Sequence, residues 1–250
     1  MQTSENVQYQ FKGKLIRAGG DAKTIKGKSD GYFTAIMYMT PYKVMVDDNL
    51  FNSCSMAVLA GCIEACLNTA GRGQFSNVQK AREKKAQWFY KDRSSFMDQL
   101  FKDCKSFITF CSKRDLKPAV RLNGTTDIRW ELIKHNGQTI FDAFPDVIFY
   151  DYTKIANRKL DIPNYHLTFS YSASNEKYLN QCSIAKKRGM NLAVVFRDKE
   201  SIPKSFYGLP TFDGDKTDQR FLDPNQVIVA LYAKGKAKKD FTGFVQDVAA

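Results

Sequence analysis

The sequence predicts a single α/β domain, built either as a partial (β/α)6-type barrel or as an open, mostly parallel sheet. Three observations carry this reading. About six short apolar runs alternate along the chain with helical or long polar connections. The central runs, among them Asp146-Val-Ile-Phe-Tyr-Asp151 and Asn191-Leu-Ala-Val-Val-Phe-Arg197, are continuous instead of alternating, as in strands covered on both faces. No repeat and no linker divides the 250 residues, and a 43% hydrophobic content is enough to bury a full core.

Taken in order, residues 1–31 are polar and rich in Gly and Lys, including a Lys-x-x-Lys-Gly-Lys run at 23–28. They read as an N-terminal arm or a short edge hairpin. Residues 32–245 form the α/β domain that carries the cysteine motif. Residues 32–46 read as strand interrupted at Pro41. Gly71-Arg72-Gly73 breaks the chain, and Ser76 is an N-cap for a basic helix from Asn77 to about Tyr90. Ser94 or Ser95 opens the next helix. There Phe96, Leu100, Cys104, Phe107, Ile108 and Cys111 make one apolar stripe, which makes both cysteines small buried hydrophobes.

Strand and helix then alternate. Residues 118–123 read as strand, 130–135 as a short helix and 146–151 as strand, with a helical turn near 154–156. Residues 166–170 are strand. A helix over 176–187 ends at Gly189, with Lys186, Lys187 and Arg188 in its last turn. Residues 191–197 are strand, 198–225 a Gly/Pro/Asp-rich loop, 226–232 the last strand and 233–240 a basic tail.

The basic residues exceed the acidic ones by 38 − 26 = 12, which favours polyanionic partners such as nucleic acid. No basic-then-apolar leader and no bilayer-length apolar run is present, so no membrane is expected. Six cysteines in a chain of this length are not a disulfide scaffold, and a reducing cytoplasm makes them ligands or buried thiols.

Cys54, Cys62 and Cys66 fall within thirteen residues, spaced C-x7-C-x3-C. With residues 62–66 helical, Cys62 and Cys66 share one face and Cys54 folds back to meet them. Three convergent thiolates suit an iron–sulfur cluster, a [4Fe–4S] centre first, with zinc as the alternative.

Sites in parallel α/β folds form beyond the carboxyl ends of the strands. Reading past each strand gives a pocket for a small-molecule ligand lined by Arg121, Asn123, Asp127, Asp151, Lys154, Ser170, Arg197 and Lys234. Arg121 sits inside an apolar run and needs a partner, with Asp127 or Asp151 as candidates; it is either a structural ion pair or an anion grip. Asp213-Gly-Asp215-Lys-Thr-Asp218 lacks a full calcium-loop pattern and reads as a solvated lid. His135 and His166 are isolated and read as structural. The competing reading is nucleic-acid binding. Lys80, Arg82, Lys84, Lys85 and Lys91 would meet phosphates, while Trp88, Phe89 and Tyr90 stack on bases.

Five stretches carry a resemblance. They are Cys62-x-x-x-Cys66-Leu-Asn-Thr-Ala-Gly-Arg-Gly73, Lys117-Pro-Ala-Val-Arg-Leu-Asn-Gly-Thr-Thr-Asp127, Phe144-Pro-Asp-Val-Ile-Phe-Tyr-Asp-Tyr-Thr-Lys154, Asn164-Tyr-His-Leu-Thr-Phe-Ser170 and the Asp-x-Arg-Phe-x-Asp element at 218–223. On these the chain resembles the bacteriophage gene-product-88 family over about residues 50–245. The resemblance implies a phage protein acting in the host cytoplasm and supplies no reaction. More distantly, three cysteines after the first strand of a six-unit βα barrel resemble radical S-adenosylmethionine enzymes. That would imply S-adenosylmethionine on an open iron, although those enzymes mostly use C-x3-C-x2-C.

Overall fold

The structure, a computed structural model, describes residues 9–20 and 30–247. The Lys-x-x-Lys-Gly-Lys run at 23–28 lies outside the described residues. Six parallel strands stand side by side in chain order: β3 (Tyr32–Met37), β6 (Lys117–Arg121), β7 (Ile148–Thr153), β8 (Tyr165–Ser170), β9 (Leu192–Phe196) and β12 (Ile228–Tyr232). These are the six apolar runs of the sequence. Each pair is in parallel register, for example Phe149↔Tyr165 and Ile228↔Leu192. The sheet is open and mostly parallel, not a closed barrel. Its β3 edge is extended antiparallel by β2 (Ile16–Ala18) and β1 (Phe11–Lys12). Residues 11–18 are thus the edge hairpin, and Leu15 and Ile16 are buried in the core.

The other edge departs from expectation. Residues 198–225 are not one loop. They hold β10 (Ser205–Phe206) and β11 (Leu209–Asp213), an antiparallel hairpin whose second strand joins β12 in parallel. The segment 233–240 is not a tail either. It forms a 3-10 turn at Gly235–Lys239 and leads into β13 (Val245–Gln246), which pairs with β9. Strand β8 leaves β9 after Ser170↔Ala193, and β13 takes up the same flank at Val195 and Phe196. Between β3 and the helices, the first strand ends at Met37, ahead of Pro41. A separate two-stranded ribbon follows, β4 (Lys43–Val46) and β5 (Asn49–Asn52).

Four α-helices are present among the described residues: α1 (Ser76–Lys91), α2 (Arg93–Ser112), α3 (Ile140–Ala143) and α4 (Glu176–Lys187). Ser76 is the first helical residue of α1, not its cap. Asp92 caps α2, its side chain accepting from the Ser95 N–H at 3.1 Å. The 130–135 helix shrinks to a 3-10 turn at Trp130–Leu132, while α3 opens on a Thr139/Asp142 capping box. α4 has the predicted span, and the chain turns out of it at Gly189, whose φ of +77° suits a residue without a Cβ.

The two faces of the sheet differ in chemistry. On one, Phe33, Ala35, Met37, Val120, Leu122 and Phe149 meet Phe96, Leu100, Cys104, Phe107 and Cys111 of α2. Phe169, Leu192, Val194 and Phe196 meet Tyr178, Cys182 and Ala185 of α4 on the same face. Each large side chain buried there contributes about 2 kcal/mol. Cys104 and Cys111 are core residues, as their place in the stripe predicts. The alternate residues Thr34, Arg121, Tyr150, Tyr152 and Thr168 point to the opposite face, which carries no α-helix among the described residues. It is crossed instead by the segment after β11.

Candidate functional site

The cysteine segment leaves β5 and runs over the carboxyl ends of β6 and β7. It is not helical. Residues 54–66 form successive turns, closed by Ala57 N–H to Cys54 O at 3.0 Å, Ala60 N–H to Met56 O at 2.9 Å and Cys62 N–H to Ala57 O at 3.3 Å. The reason is local. Gly61 has φ +62°, which a continuing right-handed helix cannot accommodate. A Cβ on Gly61 would also meet Thr242 and Ser174. Cys62 and Cys66 are therefore not i,i+4 neighbours on a helix. Cys66 caps the 3-10 turn Leu67–Thr69, its sulfur accepting from the Asn68 N–H.

The turns are clamped from three sides. Ser174 Oγ and Asn175 Nδ2 both donate to Leu59 O at 2.7 Å. Thr242 Oγ1 donates to Gly61 O at 2.8 Å. From α1, Arg82 donates to Asn68 O at 2.9 Å and Gln79 to the same carbonyl at 2.8 Å. Gly73 lies against this carbonyl so closely that a Cβ would be 2.6 Å from it, which explains the second glycine of Gly71-Arg-Gly73.

Within this frame the three cysteines lie in electrostatic reach of Lys154, which follows β7. Burial alone would depress the Lys154 ammonium, but Cys62, Asp127, Cys54 and Cys66 face it and hold it above its ordinary value. Cys54 Sγ lies 3.8 Å from Thr125 O, and burial pushes its thiol up to about 12. Burial also raises Cys66, opposed by the Asn68 N–H on its sulfur. Cys62 is buried and Cys54 and Cys66 are half-buried. Among the described residues no three His, Cys, Asp or Glu side chains are arranged to hold a single metal ion. A shallow cleft of about 240 Å³ opens beside Cys54, lined by Ser53, Ser55, Tyr90, Arg93, Asp127 and Arg129.

Asp127 links this group to a buried network. Its N–H donates to Ser53 O at 2.8 Å, and its carboxylate accepts from the Lys154 N–H at 2.7 Å and from Arg158 Nη1 at 3.0 Å. Arg158, fully buried, also grips Glu131 with two bonds of 2.6 and 2.7 Å and donates to the Tyr165 hydroxyl at 3.1 Å. That hydroxyl donates to Asp151 at 3.0 Å. Asp151 lies inside β7, on the helix-covered face. It accepts from the Asn123 N–H at 2.8 Å. Asn123 is the hub of the following loop, accepting from Thr126 Oγ1, Ile128 N–H and Trp130 Nε1.

Burial raises the Asp151 carboxyl from 3.8 to about 7, against the lowering influence of Arg121 and the Asn123 N–H. Between those values the folded chain binds a proton that the unfolded chain releases. Stability should then fall with rising pH by up to about 1.4 kcal/mol per unit from this group. Urea titrations at pH 4.5 to 7.5 should find Asp151→Asn flatter than the parent. An unchanged slope would remove Asp151 as the source.

The structure brings only part of the predicted pocket together. Lys154 and Asp127 join the cysteines, while Asn123 and Asp151 sit beneath them as framework. Arg121 takes neither suggested partner; it pairs with Asp218 at 2.8 Å on the helix-free face, because its side chain alternates away from Asp151. The 213–218 stretch is accordingly not a solvated lid: Asp218 is packed against the sheet. Arg197 ties down the chain end through Asp247 and the carbonyls of Lys238 and Asp240, and Lys234 pairs with Asp215. The Ser170 carbonyl accepts from the Tyr178 hydroxyl at 2.7 Å.

The basic helix is also not laid out as a stacking platform. Arg82 is buried on Asn68, Phe89 is in the core, and Trp88 and Tyr90 pack against it. Burial lowers Lys85 to about 8, and Lys91 pairs with Asp47. Lys80 and Lys84 remain exposed. His135 meets Asp98 at 2.8 Å, and His166 packs beside Phe221. Sequence reasoning missed Arg158, Glu131, Ser174 and Thr242. Arg158 had no motif to mark it; the others stand in unremarkable polar contexts.

Among the described residues no helix is long and apolar enough to cross a membrane. No match is found among curated proteins or among solved structures. The family model described as Gene product 88 matches residues 12–248, from β1 to the end of the last strand. With nearly the whole domain covered, the chain belongs to the gene product 88 family of bacteriophage proteins.

Proposed function

We propose that this phage protein acts in the host cytoplasm as an iron–sulfur protein, with Cys54, Cys62 and Cys66 as the cluster ligands. The observation that carries the reading is that three cysteines share one clamped run of turns, residues 54–66, in electrostatic reach of Lys154 beyond β7. The remaining three cysteines, by contrast, are buried in helices against the core. Iron–sulfur and zinc sites both take cysteine thiolates, and loading either requires the three side chains to be drawn together from their places in the turns. When bound, such a centre supplies electron transfer or a Lewis-acidic iron. The chain's own part is electrostatic and mechanical. Lys154 offsets thiolate charge, Asp127 fixes the Lys154 backbone, and the Leu59 and Gly61 carbonyl clamps hold the turns in place. The thiols must lose their protons on loading, so incorporation should be favoured by alkaline pH.

The test is metal and sulfide content, with visible absorption, of protein purified without oxygen. A brown sample with about four irons and four sulfides per chain is expected. Cys62→Ala should lose the iron, whereas Cys182→Ala, which removes a core thiol, should keep it. Iron retained by Cys62→Ala, zinc in place of iron, or no metal after anaerobic reconstitution would overturn the assignment. Adding S-adenosylmethionine to the reduced sample then asks whether an iron is open to a ligand.

A further inference from the structure

The face opposite α2 and α4, free of α-helix among the described residues, carries polar side chains over β3 to β8 where a doubly covered parallel sheet is ordinarily apolar. Thr34, Arg121, Tyr150 and Thr168 are buried on it beside Ile36 and Ala119, and Tyr152 and His166 are half-buried. The cover is a short segment, residues 214–223, that follows β11. Its backbone meets the sheet through Gly214 N–H to Ala230 O at 2.9 Å, and its other backbone bonds close turns within itself. Asp215 ties it to Lys234 beyond β12 at 2.7 Å, and two further side chains reach the sheet. Asp218 reaches Arg121, and Phe221 enters a slot formed by the rings of Tyr32, Tyr150 and His166, at centroid distances of 4.8, 5.2 and 6.0 Å.

The charges beneath the segment are incompletely satisfied. Arg121 lies between Tyr150 and Tyr152, and its Nε has no hydrogen-bond partner. Arg220 and Asp223 approach to 3.2 Å without hydrogen-bond alignment, leaving Arg220 Nε and Asp223 Oδ1 without hydrogen bonds. Buried guanidinium groups with unmet donors are costly unless an oxyanion completes them. The Asp218 side chain is 17% exposed, so solvent already reaches the carboxylate that occupies Arg121.

We propose that this face binds a small molecule joining an oxyanion to a planar aromatic ring, a nucleoside monophosphate being the simplest such chemistry, and that Asp218 and Phe221 hold its two places until it arrives. The phosphate takes Arg121 from Asp218, with bidentate geometry open to the unused Nε. The base takes the slot of Phe221 between Tyr32, Tyr150 and His166. Residues 218–223, whose backbone turns close within themselves, move outward about the Gly214 and Asp215 attachments. The site is independent of whatever the cysteines hold.

Thermal unfolding of the parent, Asp218→Asn and Phe221→Ala should be followed with AMP, UMP, adenosine and inorganic phosphate. A monophosphate should raise the midpoint more than adenosine or phosphate alone. Removing either internal occupant should tighten its apparent Kd by about tenfold, since the competent state no longer competes with a built-in ligand. No midpoint shift with AMP or UMP in any of the three proteins, or variants that bind no tighter than the parent, would overturn the proposal. Should a variant fail to fold, hydrogen exchange of the parent decides. Faster exchange over residues 218–223 with AMP supports displacement, and unchanged exchange sinks it.

Discussion

Arg158→Met should lower the unfolding free energy by about 3–5 kcal/mol, seen as a large drop in the urea midpoint at neutral pH. Arg158 has no exposed surface, and it is the shared cation of Glu131, whose side chain is also fully buried, and Asp127. Removing it leaves Asp127 with the Lys154 N–H and Glu131 with the long 3.5 Å contact to Arg129, so neither buried carboxylate keeps a close cation. The cost is that of uncompensated buried charge, not the net worth of the pair. Arg158→Met combined with Glu131→Gln should therefore recover part of the loss. If Arg158→Met alone leaves the midpoint within a few tenths of a molar of the parent, the network is not sealed from water as described.

Asn123→Ala should cost about 4 kcal/mol, because it leaves the Ile128 N–H, the Trp130 indole N–H and the Thr126 hydroxyl without their acceptor in a buried loop. Trp130 is fully buried, so water cannot replace the lost bond. The loss should be less than additive with Arg158→Met, since Asn123 and Arg158 meet through Asp151 and Tyr165. Near-UV circular dichroism gives an independent check: the Trp130 environment should loosen before the sheet does. Strict additivity in the double variant would separate the two halves of the network.

Much of the architecture was legible because its signals are local. Six strands with both faces covered make continuous apolar runs, and α2 and α4 display their stripes and caps openly. The edges were not legible. β10 and β13 are two residues each, too short for any period, and β11 has no apolar run of its own. Residues 62–66 read as helical because the i,i+4 spacing of Cys62 and Cys66 would then put both on one face, and the Ala and Glu between them favour helix. The positive φ of Gly61 and the carbonyl clamps from distant residues override that preference. Arg121 was correctly read as a charge that needs a partner. The partner stands 97 positions away, a separation at which sequence offers no geometric guidance. Lys154 was placed on the rim from its position after a strand, and its place in electrostatic reach of three cysteines required the folded chain.

The exchange of partners along one flank of β9 sets an order on assembly. As the chain emerges during synthesis, each of β3, β6, β7, β8 and β9 finds the edge of its predecessor already formed, which favours growth from one side. The stretch of β9 beyond β8 has no neighbour on that flank until residues 245 and 246 emerge, fifty positions after Val195 and Phe196. Those residues bring Thr242 and its bond to Gly61 with them. The turns bearing Cys54 and Cys62 can therefore be held at Leu59 by Ser174 and Asn175 well before the Gly61 clamp closes. Any prosthetic group has its widest access in that nascent interval, and β13 then closes the latch behind it.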